Sequence, residues 1–267
     1  MHQFSDQQLM TLAIDLAKQA ATTINKIRNK GIEVTTKSDA SPVTQADQAS
    51  ESLILHGLRE YAPYIPVIAE EEMSQGIRTQ TQSEFWLVDP LDGTKGFIRG
   101  SKNFTVNIGL IRNHKPVMGV VALPAYHEIF CGIVGQGAWR IDPDGQHIPI
   151  HVSPVPKDGF RIITSHNHAN DAQLSKALQG FPAHSIHSMG SASKILRIAE
   201  GKADLHFRFN SIMEWDTAAP QAILEAAGGY LRTFDNQPLQ YGKEGRRIPP
   251  YFCSGSLIDN YLNNFNV

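Results

Sequence analysis

Six consecutive residues, Asp89-Pro90-Leu91-Asp92-Gly93-Thr94, hold the densest chemistry in the chain. The apolar run Phe85-Trp86-Leu87-Val88 before them reads as a short strand that delivers Asp89 at its end. Pro90 cannot donate to a β-ladder, and Gly93 permits a sharp turn. A chain turning there can aim Asp89, Asp92 and a backbone carbonyl at one point. Hard oxygen donors in this density suit Mg²⁺ better than Zn²⁺, which prefers His and Cys. A helix starting near Gly93 would add free amides that hold a phosphate. Aspartates after strands also serve as plain turn and cap residues, but the clustering favours the metal reading.

Other acids have stronger structural alternatives. Glu70-Glu71-Glu72 follows the short apolar run Val67-Ile68-Ala69. Glu70, next to that strand, is best placed to enter a site, and the other two read as a solvated face. Asp216 opens an alanine-rich helix, where a cap is its ordinary role. Thr44 and Asp47 carry the same capping reading. The eleven histidines offer the near pairs His166/His168 and His184/His187, without an HExxH context or a cysteine partner. That argues against zinc and leaves them surface or ligand contacts.

The elements that must position these groups are legible from periodicity. Ser5-Asp6-Gln7-Gln8 reads as a capping box, followed by Leu9, Leu12, Ala13, Leu16, Ala17, Ala20, Ile24 and Ile27 at helical spacing, with Gly31 as the stop. A second helix runs from Thr44 past Leu58 and is closed by Pro63 and Pro66. Strand-like runs at 104–111, 117–123, 129–134 and 138–141 form an antiparallel meander. Its glycines, Gly132, Gly135 and Gly137, are in the wrong order for a dinucleotide fingerprint and read as a hairpin turn. Ser153-Pro154-Val155-Pro156 is the best linker. It separates an α+β region, 1–152, which carries the antiparallel sheet and the main metal-binding motifs, from an α/β region, 157–267, that completes the site. The latter is expected to hold strands at 161–164, 203–209 and 251–254, and helices at 170–178, 191–200, 216–227 and 256–264.

Composition excludes several classes. The 267 residues carry 24 Lys and Arg against 26 Asp and Glu, a formal charge of −2, with 41% apolar and 19% charged residues. That is a globular composition without the basic face that grips nucleic-acid backbone. Cys131 and Cys253 make neither a disulfide framework nor a CxxC metal site, so reduced buried thiols are expected. The N-terminal residues do not resemble a secretory signal, and no run approaches the ~18 apolar residues of a membrane span. A cytoplasmic location is the expectation. Oligomeric state is left open.

Taken together, the motifs resemble the inositol monophosphatase superfamily. Trp86 to Thr94 resembles its first signature. Trp215-Asp216-Thr217-Ala218-Ala219, with Glu225-Ala226-Ala227-Gly228-Gly229 behind it, resembles the second. Ile68-Ala69-Glu70-Glu71 is similar to the intermediate metal-binding element, with Ala69 where many relatives carry Ser or Gly. Lys37-Ser38-Asp39 and Pro42-Val43-Thr44-Gln45-Ala46-Asp47 are similar to the N-terminal element. The run His187 to Lys194 and the later Arg208 resemble the CysQ-type 3′(2′),5′-bisphosphate nucleotidase branch.

The resemblance implies an α+β fold, a layered αβαβα sandwich with the site between its halves. It implies that Glu70, Asp89 and the Leu91 carbonyl hold one Mg²⁺, that Asp89, Asp92 and Asp216 hold a second, and that Glu70 serves a third, weaker position. Asp47 and Thr94, with help from Glu70, would orient the attacking water. Gly93 and Thr94 would contact the phosphate, which also lies against Glu70, Leu91, Asp92 and Asp216. Ser191, Lys194, Arg208 and His166 would hold the nucleotide and its second phosphate. The implied reaction is hydrolysis of a small phosphate ester, adenosine 3′,5′-bisphosphate, to AMP and phosphate by a metal-activated water. Some relatives associate with the inner face of the cell membrane, so a peripheral location is a further expectation.

Three alternatives compete. An inositol monophosphatase or sugar bisphosphatase would use the same metal site. A haloacid-dehalogenase loop reads D-x-D-G-T; aligned on Asp92-Gly93-Thr94, it would put Pro90 in the nucleophile's slot, which argues against aspartyl-phosphate chemistry. A non-catalytic nucleotide- or RNA-binding module has no need to cluster carboxylates where a phosphate sits.

Overall fold

The structure is a computed structural model that describes residues 4–37, 41–165, 172–179, 181–256 and 258. Ser38, Asp39, His166, His168, the start of the helix expected at 170–178 and most of the one expected at 256–264 lie outside the described residues.

Helix α1 (Asp6–Lys30) starts as expected: the Ser5 hydroxyl accepts from the Gln8 N–H while the Gln8 side chain accepts from the Ser5 N–H. It stops at Gly31. Its buried stripe includes Leu9, Ala13, Leu16, Ala17, Ala20 and Ile24. A short hairpin, β1 (Val34–Thr36) and β2 (Pro42–Thr44), leads into α2 (Gln45–Tyr61). Helices α1 and α2 pack on each other and cover one face of a seven-stranded sheet.

That sheet contains β3 (Val67–Ala69), β4 (Glu84–Asp92), β5 (Thr105–Arg112), β6 (Lys115–Leu123), β7 (Glu128–Ile133), β8 (Gly137–Ile141) and β9 (His147–Ile150), side by side in chain order. Strands β3 and β4 are parallel and every other pair is antiparallel. The short helices α3 (Glu70–Ser74) and α4 (Thr94–Ile98) follow β3 and β4 directly.

A second sheet has five strands: β10 (Phe160–Thr164), β11 (Ala183–Ser188), β12 (Leu205–Arg208), β14 (Tyr230–Thr233) and β16 (Tyr251–Ser254), in the spatial order β11-β10-β12-β16-β14. Helices α6 (Ser193–Ala199) and α7 (Glu214–Ala226) lie between the two sheets, sharing one core cluster with Leu87 and Val121 on one side and Leu231 and Cys253 on the other. Helix α5 (Ala172–Ala177) packs outside the smaller sheet through Leu174 and Ala177 against Phe160 and Phe207. The result is a five-layer αβαβα arrangement of α+β class. A two-stranded piece, β13 (Ile212–Met213) with β15 (Arg247–Ile248), sits at the start of α7.

The seat of α7 depends on glycines facing it. A Cβ on Gly109 of β5 would come within 2.8 Å of the Ala219 nitrogen, and one on Gly119 of β6 would overlap the Ala219 backbone. Helix and sheet therefore approach backbone to backbone.

Two sequence expectations change. Strand β4 does not end at Asp89; its pairing with β5 resumes at Asp92↔Thr105 after a register shift. Pro90 and Leu91 fall in that bulge, so the missing Pro90 N–H costs no ladder bond. Strands β9, β11 and β14, like the short β1, β2, β13 and β15, have no counterpart among the strands the sequence pattern predicts. In β11, Ala-His-Ser-Ile-His-Ser is mostly exposed at a sheet edge, so it carries no apolar alternation to read. Both cysteines are free and buried, as expected.

Candidate active site

The bulge of β4 and the first turn of α7 meet between the sheets. There one carboxylate oxygen from each of Asp89, Asp92 and Asp216 lies within 4.8 Å of the others. Each acid is also tied to its own support. Asp89 accepts from the Leu91 N–H at 3.0 Å. Asp92 accepts from the Ala192 N–H at 2.5 Å and from the Thr105 hydroxyl at 3.4 Å. Asp216 accepts from the Met213 N–H at 3.0 Å, so it caps α7 and faces the cluster at once.

These acids are uncomfortable together. Burial, then repulsion from Glu70, Asp92 and Asp216, holds the Asp89 carboxyl well above the usual carboxylate range. Burial, then Asp92 and Glu70, pushes Asp216 up to about 8. Burial also raises Asp92, with Lys194 opposing. An all-oxygen donor set strained by its own charge is what a hard divalent cation relieves.

Glu70, at the start of α3, feels the same field: burial raises its carboxyl most, and Lys37 works against that rise. The Lys37 ammonium lies 2.7 Å from Glu70 Oε1 and 2.7 Å from Glu71 Oε1. Burial disfavours its charge, but the two carboxylates outweigh burial and drive it up. Glu71 and Glu72 are not the solvated face expected from sequence. Glu71 is only 4% exposed and is held by Lys37, while Glu72 pairs with Arg59 at 2.7 Å. Helix α3 has no side-chain cap of its own; Glu51 of α2 supplies one, accepting from the Glu71 N–H at 2.7 Å and the Glu72 N–H at 2.8 Å.

For Asp47 the capping reading holds through one oxygen, and the other oxygen faces Thr94. Its Oδ2 accepts from the Thr44 N–H at 2.9 Å and the Thr44 hydroxyl at 2.6 Å. Its Oδ1 lies 3.0 Å from the hydroxyl of Thr94, which is also 3.0 Å from the Leu91 carbonyl oxygen. Burial raises the Asp47 carboxyl, with the Thr44 and Thr94 contacts opposing. Gly93 takes φ +94° as the N-cap of α4, the left-handed turn that brings Thr94 back over the bulge.

Above the acids opens a cavity of about 910 Å³, lined on its floor by Asp92, Gly93 and Asp216 and on its walls by Ser191, Lys194 and Arg208. Lys194 is not a solvated helix residue. It is 6% exposed, and burial lowers its ammonium to about 8 while Asp92 opposes that fall. Its Nζ donates to the Ser191 carbonyl at 2.7 Å. Arg208 Nε donates to the Asn210 carbonyl at 3.3 Å. His166 lies outside the described residues, but its neighbour Ser165 lines the cavity. The structure thus gathers Asp89, Asp92 and Asp216 in one cluster and places Asp47, Glu70, Leu91, Gly93, Thr94, Ser191, Lys194 and Arg208 around it.

Several neighbours escaped the sequence reading. Lys95 and Arg99 line the cavity from α4 and just beyond it. Glu51 supports α3, and its position four residues after Asp47 on one helix face was the available signal. Thr105 and Asn107 stand opposite Asp92 and Asp89 on β5, and no short-range pattern points to them. Among the described residues, no helix is long and apolar enough to cross a membrane.

Comparison with known proteins agrees with this geometry. The model of the inositol monophosphatase family matches residues 5–257. The 3′(2′),5′-bisphosphate nucleotidase CysQ of Escherichia coli strain K12 is 38% identical over 239 residues, covering 89% of this chain and 95% of that one. The protein of the same name from Buchnera aphidicola is 35% identical over 242 residues, 90% of either chain. The crystal structure of CysQ from Bacteroides thetaiotaomicron, a bacterial member of the inositol monophosphatase family, aligns at a TM-score of 0.78 with 31% identity, covering 94% of this chain and 99% of that one. With the family model matching residues 5–257 and these relatives similar over most of the sequence, the chain belongs to the inositol monophosphatase family.

Proposed function

We propose that this protein is a Mg²⁺-dependent phosphomonoesterase that hydrolyses adenosine 3′,5′-bisphosphate to AMP and inorganic phosphate. The observation that carries this reading is the cluster of Asp89, Asp92 and Asp216, of which Asp92 and Asp216 line a cavity whose wall presents Lys194 and Arg208. The nucleotidase name of the relatives at 35–38% identity supports the substrate.

In this reading Asp89, Asp92 and Asp216 would hold one Mg²⁺, Glu70, Asp89 and the Leu91 carbonyl would hold another, and Glu70 would serve a third, weaker position. Bound cations would supply Lewis-acid charge to the phosphate oxygens and an acidified water for in-line attack. Thr94 donates its hydroxyl proton to Asp47 and keeps its lone pairs for a hydrogen of the attacking water. The buried Asp47, whose carboxyl sits above its usual range, is the natural proton acceptor of that relay. Gly93 and Thr94 contact the phosphate from the start of α4. Ser191, Lys194 and Arg208, with His166, receive the nucleotide and its second phosphate. The region 1–152 brings Asp47, Glu70, Asp89, Asp92 and Thr94. The region 157–267 brings Ser191, Lys194, Arg208 and Asp216, so substrate lies between the two.

The test is phosphate release from a matched panel of adenosine 3′,5′-bisphosphate, AMP, inositol 1-phosphate and a sugar bisphosphate, with Mg²⁺ and with excess chelator. The bisphosphate nucleotide is expected to have the highest kcat/KM, and chelator to abolish release. A higher kcat/KM for inositol or sugar phosphate would overturn the substrate. Full turnover in chelator would overturn the metal reading.

A further inference from the structure

Strand β5 runs beside the acid-bearing strand β4, in a register that sets Thr105 opposite Asp92 and Asn107 opposite Asp89. Directly opposed residues of an antiparallel pair have Cβ atoms about 5 Å apart on the same face of the sheet. Thr105 and Asn107, two apart on one strand, therefore back the two aspartates as a row. The next residue of that row is Gly109, against which the backbone of α7 is pressed. The row is thus closed on one side by α7 and on the other by the acid cluster.

Thr105 uses its place: its hydroxyl donates to Asp92. Asn107 has no such partner. It is 0% exposed, and neither its Oδ1 nor its Nδ2 finds a hydrogen bond among the described residues. Buried carboxamides are nearly always paired, because a group stripped of water and given nothing in return destabilises the fold. An apolar residue of similar volume, such as Leu, would fill this position without that cost. The carboxamide is therefore explained by a partner it acquires in the working state. The polar group its strand register sets beside it is the Asp89 carboxylate, whose described hydrogen bond is to the Leu91 N–H through one oxygen.

We propose that Asn107 is a positioning residue for Asp89. When the acid cluster holds its cations, Nδ2–H of Asn107 donates to the Asp89 carboxylate, directly or through one enclosed water, and fixes the plane in which Asp89 presents its lone pairs. This rests on the reading of Asp89 as a metal ligand. It assigns β5 a single function along its row, with Thr105 orienting Asp92 and Asn107 orienting Asp89.

The experiment compares wild type, Asn107→Leu and Asp89→Asn by calorimetric titration with Mg²⁺, by thermal melting in chelator and in saturating Mg²⁺, and by steady-state kinetics. For Asn107→Leu the Mg²⁺ dissociation constant should rise about tenfold, as expected for loss of one hydrogen bond to a charged group. Its melting temperature in chelator should be equal to or above that of wild type, because an unpaired polar group has been removed, while its Mg²⁺-induced rise shrinks. Substrate KM at saturating Mg²⁺ should be unchanged. A wild-type Mg²⁺ affinity in Asn107→Leu, with Asp89→Asn impaired, would overturn the role of Asn107 alone. Equal Mg²⁺ binding by Asp89→Asn and wild type would overturn the metal reading beneath it. A fall in melting temperature of equal size with and without Mg²⁺ would mark Asn107 as merely structural. Should Asn107→Leu fail to fold, the smaller Asn107→Ser is judged by the same criteria.

Discussion

Thr94 and Asp47 meet across 47 positions of sequence: the Thr94 hydroxyl oxygen lies 3.0 Å from Asp47 Oδ1 and 3.0 Å from the Leu91 carbonyl oxygen. One hydroxyl proton faces two acceptors, so its choice sets where Thr94 directs its lone pairs. Were the Leu91 carbonyl to hold a cation, as proposed above, the proton would be left to Asp47. Thr94→Val keeps the shape and removes the relay. We expect kcat to fall about a hundredfold or more, within the range for loss of general-base assistance, with KM little changed and with Thr94→Ser retaining most activity. Steady-state kinetics at saturating Mg²⁺ measure this, and a Thr94→Val enzyme with wild-type kcat would remove Thr94 from the mechanism.

The crowded acids make a prediction about the metal-free protein. Asp216 titrates near 3.8 when free of the fold and is pushed up to about 8 within it, by burial and then by Asp92 and Glu70. Between those values the folded state binds more protons than the unfolded state, so stability falls as pH rises through the window. Burial, opposed by its hydrogen bonds, also raises Glu51 to about 7, and burial raises Glu71 to about 7 despite Lys37, so both add the same sign. In chelator, the melting temperature should drop from pH 5 to pH 8, Mg²⁺ should restore it at pH 8, and Asp216→Asn should flatten the slope. Asp89→Asn and Asp92→Asn should remain folded while losing several orders of magnitude of turnover. Melting curves in chelator that rise with pH over this range would contradict the account of the cluster.

Gly119 links packing to the site. A Cβ there would overlap the Ala219 backbone, one turn beyond Asp216 on the same helix. Gly119→Ala must lift α7 off the sheet. We expect a loss of about 2 kcal/mol, typical of overpacking, seen as a melting temperature roughly 5 °C lower, together with a higher Mg²⁺ requirement as Asp216 moves. A variant with unchanged melting and unchanged Mg²⁺ dependence would show that helix and sheet are not in the close contact described.

Arg208 and Lys194 both face the cavity, but their burial separates the experiments that test them. Lys194 is buried and its charge acts on Asp92, so its removal disturbs the acid cluster and should lower turnover of every substrate. Arg208→Ala is the cleaner probe. Loss of one charge-assisted contact to a second phosphate should cost about 2 kcal/mol, or roughly thirtyfold in KM for adenosine 3′,5′-bisphosphate, and little for a substrate with one phosphate. Equal losses on both substrates would move Arg208 from specificity to the common machinery.

Local patterns carried much of this protein in one dimension. The capping boxes of α1 and α2, the meander from β5 to β8, the Asp89–Thr94 turn and the Trp215-Asp216 helix start are all short-range features, set by propensity, periodicity and neighbouring hydrogen bonds. The family signatures lie in such segments, which is why the acid-bearing strand and helix could be named before any contact was known. What needed the tertiary structure is everything decided by burial. Lys37 pairs with both Glu70 and Glu71, Glu51 reaches from α2 to hold α3, Lys194 is buried where its charge acts on Asp92, and Asn107 stands opposite Asp89. None of these pairs shares a helical turn or a single strand. They meet because elements remote in sequence pack together, and removal from water turns ordinary surface residue types into charges and carboxamides that require partners.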